Sequence, residues 1–268
     1  MRTMLPTSVE QYFTVVRYEL LGYLRKKRLW VMFAILFLMF FLILLLPVAL
    51  GVKYPSTFRD YAQLYLGFVG ILVLLCATFL GSDALVSEFQ QKTGFVIFPN
   101  PVNRFVIALG KFSASMIASV IVISVYYGLI ALFVGGIYKE VNIELVYSFL
   151  LAITYLSAAV GVAYLISAAM KGTVGSTLLT FFLFLMVLPM ISGILSFVDV
   201  NPWFLVTHGG DTITYVMDPG YAPGRICVQE GFCLYLPDIY VSIAVMFAYL
   251  IVSLILALFI FQRKEMAG

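Results

Sequence analysis

The chain has 268 residues, 63% hydrophobic and 11% charged, with a mean hydropathy of +1.07 and a formal net charge of +3. A soluble domain carries about 25% charged residues, so one water-soluble core cannot hide this much apolar surface, and lipid must be the main solvent. The basic residues are accounted for by topology, as set out below, which leaves no soluble basic patch and excludes nucleic acid as a partner.

The N-terminal arm, 1–28, comes first. Val9, Tyr12, Phe13, Val16, Leu20, Tyr23 and Leu24 share one face at helical spacing, with Glu10, Gln11, Thr14 and Arg25 opposite. Tyr18 and Leu21 interrupt the pattern. Arg25-Lys26-Lys27-Arg28 then meets Trp30, a basic and aromatic pairing that marks headgroup level. The arm reads as an amphipathic helix lying on the inner leaflet; a plain membrane-anchored tail is the alternative.

A membrane span needs about 20 apolar residues. Six runs qualify: Leu29 to about Val52, about Ala62 to Leu85, about Phe105 to Ile137, about Leu145 to Met170, about Val174 to Val198, and Ile239 to Phe261. In lipid the backbone must satisfy its own hydrogen bonds, and these runs are apolar all round, so they are helices and not barrel strands. The expected fold is an all-α integral membrane protein, one domain over 1–268, with both termini in the cytosol of a cell membrane. That topology places Arg2, Arg17, Arg25, Lys26, Lys27, Arg28, Lys92, Arg104, Lys111, Lys171, Arg263 and Lys264 inside, against Lys53, Arg59, Lys139 and Arg225 outside.

Two connections stand out. Residues 86–104 form a polar, proline-broken island on the cytosolic side, with charges of both signs (Glu88, Lys92, Arg104), Gly94, Pro99 and Pro101, and the aromatics Phe95 and Phe98. That composition suits a short helix pressed against a soluble partner. Residues 199–238 form a long outer loop, acidic and rich in Gly and Pro, yet too aromatic to be disordered. It reads as a cap, partly helical and partly re-entrant. Cys227 and Cys233 face the oxidising exterior there and are expected to form a disulfide, two free thiols being the alternative.

Enzymatic motifs are missing. Gly110-Lys111-Phe112 lacks the upstream glycine spacing and the Ser/Thr of a phosphate loop. The single histidine, His208, has no His or Cys at ligand spacing, so no metal site is expected. The middles of all six spans carry no charge, which argues against a proton-coupled carrier. Phe181, Phe182, Met186 and Met190, with Ser119, Ser124, Tyr126 and Tyr127, are candidates for a path lining, ordinary packing being the alternative. Small residues in the fourth span (Ser157, Ala158, Ala159, Gly161, Ala163) allow close helix contact, either internal or across a dimer. Pro189 is expected to kink the fifth span.

The island carries a resemblance. Glu88 closing a span, then Lys92-Thr93-Gly94, then the turn Pro101-Val102-Asn103-Arg104 and Gly110-Lys111 at the start of the next span, resembles the cytosolic coupling segment of ABC-2 type permeases. The chain departs from many members in running Thr93-Gly94-Phe95-Val96-Ile97-Phe98 where they have Gly-Thr and a Leu-rich run. The resemblance implies a type V exporter-like architecture and assigns ATPase coupling to Glu88, Lys92, Gly94, Phe95, Phe98, Pro99, Pro101 and Arg104. It implies two copies of an ABC ATPase that bring ATP and Mg, no cofactor in this chain, and a second permease, the same chain or a homologue. A non-transporting scaffold or immunity protein using the same island is the competing expectation.

Overall fold

The computed structural model describes residues 7–51, 53–90, 104–229 and 232–264. The N-terminal helix, Ser8–Arg25, opens with a capping box: the Thr7 side chain accepts from the Glu10 backbone and the Glu10 side chain accepts from the Thr7 backbone. It ends where Lys27 adopts a left-handed φ of 59° and turns the chain into the first span.

Six helical segments are long and apolar enough to cross a membrane: Arg28–Pro47, Phe58–Gln90, Arg104–Tyr138, Glu144–Ala169, Thr173–Phe197 and Ile239–Arg263. They follow the six runs of the sequence. The second span is not a continuous helix. It consists of helices at Phe58–Leu66 and Val69–Cys76, a π turn at Ala77–Gly81, and a last short helix at Val86–Gln90. The fifth span contains another π turn at Leu183–Val187, immediately before Pro189. Proline cannot donate to the helix ladder and crowds the preceding turn, and a π turn is one of the few ways to absorb that.

The core lies around the second, third and fourth spans. Phe40 of the first span packs edge-on or tilted against Tyr65, Tyr126 and Phe133. The Tyr126 hydroxyl donates to the Tyr65 carbonyl at 3.0 Å, where the second span breaks. The fourth span is threaded between neighbours on small residues. A Cβ on Gly161 would lie 2.6 Å from Ser253 Oγ and 3.4 Å from Leu250 Cα of the sixth span. A Cβ on Gly81 would lie 3.3 Å from Ala163. At Gly161 and Ala163, then, the close approach is internal.

One end of the bundle carries the N-terminal helix together with Val86–Gln90 and Arg104. The other end carries the residues of 199–238. There the structure forms two short helices, Val206–Gly210 and Thr212–Tyr215, and then a two-stranded antiparallel hairpin, Gly224–Gln229 with Phe232–Leu236. The hairpin departs from the helical and re-entrant cap expected. Apolar β-formers on both sides of Glu230-Gly231 were the signal for it. In its register Cys227 pairs with Cys233.

Candidate coupling site

The site is built where the second and third spans reach the basic end of the bundle. After its π turn the second span is recaptured by side chains of its neighbours. Ser167 Oγ accepts from the backbone N–H groups of Leu85 and Val86, at 3.0 and 3.1 Å. Ser176 donates to the Ser82 carbonyl, and Ser82 Oγ lies 3.0 Å from Thr177 Oγ1. The Gln90 side chain accepts from the Thr173 backbone at 2.8 Å. The Ser167 and Ser176 bonds satisfy backbone groups that the broken helix leaves over, and Gln90 satisfies one at the start of the fifth span.

Glu88 does not face solvent. Its carboxylate lies 2.7 Å from Lys111 Nζ of the third span, and Lys111 also pairs with Glu19 of the N-terminal helix. The Lys111 side chain is only 4% exposed, so one buried ammonium joins three elements. Two carboxylates share the one cation, and Lys111 or Glu88 left alone would be a buried unpaired charge, which holds the pair in place. Asp83 pairs with Arg28 at the start of the first span. Tyr23 donates to the Leu80 carbonyl at 2.9 Å and Tyr12 to Ser113 Oγ at 2.7 Å. A Cβ on Gly110 would lie 2.7 Å from Val15 Cγ1, so only glycine lets the N-terminal helix seat this closely on the third span.

Arg104 Nη1 lies 3.4 Å from the Lys264 carbonyl and 3.5 Å from that of Gln262, at the end of the sixth span. Phe89 packs edge-on against Phe261 with ring centroids 5.6 Å apart, and Lys264 Nζ sits 4.7 Å over the Phe89 ring. Lys264 also donates to the Ala168 carbonyl at 2.9 Å, closing the fourth span into the cluster. A small apolar core of Ala84, Leu85, Ala108, Tyr164, Ala168, Ala257 and Phe261 lies beneath.

Of the residues singled out in sequence, Glu88 and Arg104 are thus brought to one end of the bundle and held within the chain. Lys92, Gly94, Phe95, Phe98, Pro99 and Pro101 lie outside the described residues, as do the side chains of Cys227 and Cys233. Among the candidate path residues, Ser119, Tyr126 and Tyr127 are buried packing groups; Tyr127 shares a 2.9 Å hydrogen bond with Ser148. Phe182, Met186 and Met190 are exposed along the fifth span. Glu19 was not singled out. It stands at helical spacing between Val16 and Tyr23, and a carboxylate in the middle of an apolar face was the available signal.

The fold and the buried charges at one end define a polytopic membrane protein whose second and third spans are locked to a terminal helix. The profile of ABC-2 family transporter proteins matches residues 15–199, more than half of the chain. The chain belongs to that family, which makes it a membrane permease of an ABC transporter. No curated protein matches the chain.

Proposed function

We propose that the chain is one membrane half of an ATP-driven exporter, in which residues 86–104 dock a separate ABC ATPase carrying ATP and Mg. The observation that carries this reading is how the flanks of 91–103 are held. Phe89, just before that stretch, packs on Phe261, and Arg104, just after it, bonds to Lys264, so both flanks rest on the sixth span. A push on the intervening chain reaches the second, third and sixth spans together, and the N-terminal helix through Lys111. Lys92, Gly94, Phe95, Phe98, Pro99 and Pro101 would supply the contact face, with Glu88 and Arg104 holding it from behind. The basic end faces the cytosol, by the Lys and Arg distribution.

A second permease, the same chain or a homologue, completes the path, and each permease takes one ATPase. The fifth and sixth spans bury only 11% and 17% of their most apolar windows, against 61% for the second, which leaves them free to meet lipid or the other permease. Nucleotide binding draws the ATPases together and favours one of two membrane conformations, as it can only do by binding them unequally. At the other end a Cys227–Cys233 bridge staples the hairpin. Antiparallel partners lie about 4.5–5.5 Å apart at Cα, inside the range a disulfide spans.

The test is co-purification with the ABC ATPase and nucleotide-driven substrate movement in vesicles. The isolated chain is expected to hydrolyse no ATP, and the complex to do so. Deleting residues 92–101 should abolish co-purification while leaving membrane insertion intact. Turnover by the isolated chain, or full docking by the deletion variant, would end this reading. Stable docking with no nucleotide-driven movement would favour the scaffold or immunity role instead.

A further inference from the structure

At the hairpin end of the bundle a cavity of about 240 Å³ opens between the second, fourth and fifth spans and the two short helices. Its lining is mixed. Phe184 and Leu185, from the π turn of the fifth span, are apolar, and the backbone is open at Gly70, where an added Cβ would meet nothing within 4 Å. Asp211, Thr207 and Tyr155 bring polar groups. The backbone of Asp211 is bonded to His208, Thr214 and Tyr215, but its carboxylate is exposed at the cavity and makes no hydrogen bond or ion pair to any described residue. A carboxylate that opens into a cavity with no described cation beside it is placed to hold one, since a nearby opposite charge favours its ionised form.

We propose that this cavity binds an organic ammonium ion carried on an apolar body, its N–H groups donating to the Asp211 carboxylate and its carbon frame lying against Phe184 and Leu185. An anion would be repelled by the carboxylate, and a fully apolar molecule would leave it unsatisfied. A hydrated metal ion would leave the aromatic and aliphatic wall without a role. The volume is below the roughly 300 Å³ of the smallest drug-sized pockets, so the cavity holds the charged end while the rest projects from its open side. Asp211 is reachable from the mouth yet enclosed by enough protein that burial pushes its carboxyl up to about 6. A bound cation would relieve that cost. The proposal stands apart from ATPase docking at the opposite end. Both an amphipathic amine and the ethanolamine headgroup of a lipid satisfy the chemistry.

The probe is dansylcadaverine, a primary alkyl ammonium on an apolar fluorescent body, read by fluorescence anisotropy with the full chain purified in a neutral detergent. Saturable binding by the wild type is expected, with the N-acetylated, uncharged analogue binding at least tenfold more weakly. Asp211→Asn should weaken dansylcadaverine binding by about ten- to a hundredfold, the range for loss of a charge-assisted hydrogen bond. Gly70→Leu fills part of the cavity without removing the carboxylate and should also block binding, which separates occupation of the cavity from surface charge. Competition by short-chain phosphatidylethanolamine assigns the cavity to lipid headgroups, and its failure assigns it to soluble amines. Absence of saturable binding to the wild type, equal binding of the uncharged analogue, or wild-type affinity in either variant would overturn the proposal. A docking assay with the ATPase, run on the same variants, should be unaffected.

Discussion

Glu88 Oε1 lies 2.7 Å from Lys111 Nζ, across the gap between the second and third spans, in surroundings that leave the lysine side chain 4% exposed. With Glu19 on the same ammonium, one lysine fixes the relation of two spans and the terminal helix.

Lys111→Met should therefore be more damaging than its size suggests. It leaves two carboxylates facing each other without a cation, and breaking a buried pair by removing one partner costs about 3–5 kcal/mol. Removing Glu88 as well should recover part of that loss. Thermal unfolding of Lys111→Met, Glu88→Gln and the double variant in detergent makes the cycle. Additive losses in the double variant would show that the two groups do not act as a unit.

Arg104 and Phe98 test the coupling assignment. Interface energy concentrates in a few aromatic and Arg residues. Phe98→Ala should cost about 2 kcal/mol or more of ATPase affinity, roughly thirtyfold. Arg104→Ala acts differently, by freeing the trailing end of the island from Lys264 and Gln262. It should lower coupled hydrolysis as well as docking. Co-purification and hydrolysis at wild-type levels in both variants, with normal expression, would place the coupling contact on other residues.

The hairpin offers a covalent test. Cys227 and Cys233 are register partners, whereas Cys76 is a buried free thiol. Alkylation of denatured, unreduced protein should label one cysteine, and after reduction three. Labelling of all three without reduction would refute the bridge and leave the membrane assignment untouched.

Asp211 gives a pH signature. Burial raises its carboxyl from 3.8 to about 6, so the folded state holds the proton more tightly than the unfolded chain. Stability then falls as pH rises from about 4 to about 6, and the full penalty persists above that window. Asp211→Asn removes the charge, so it should raise the melting temperature at pH 8 and change it little at pH 4. Tyr155 of the fourth span faces Asp211, and so do Tyr215 and Tyr221, whose hydroxyls burial pushes up, so that they stay neutral throughout this range. His208, one turn earlier, is buried with its basicity lowered; its contribution is common to both proteins and drops out of the difference. An equal melting shift at both pH values would refute the assignment.

The spans were legible because lipid imposes a single rule on long apolar runs, and each run kept that rule from end to end. The breaks inside them were less so. Pro189 announces a disturbance, and the π turn before it answers that proline, but Ala77 to Gly81 is an ordinary apolar stretch with no residue that forbids an α-helix. The contacts that hold the chain just after its π turn come from Ser167 and Ser176, which are distant in sequence. The charge cluster divides in the same way. Glu88 and Lys111 stand out as charges at the ends of apolar runs, while their pairing with Glu19 depends on where the terminal helix lands. The path residues split because exposure is a tertiary property: Tyr126 and Met190 look equally suited to line a path in sequence, and only packing buries the first and bares the second.

The anchors at Phe89 and Arg104, on either flank of 91–103, have a mechanical consequence. Under the proposed coupling, a thrust on the chain between these two anchors reaches the spans only after any slack is taken up, and the number of residues between Gln90 and Arg104 sets that slack. Added glycines should then introduce backlash: the soluble subunit would travel part of its stroke before the spans felt it, and hydrolysis would continue while the membrane stood still.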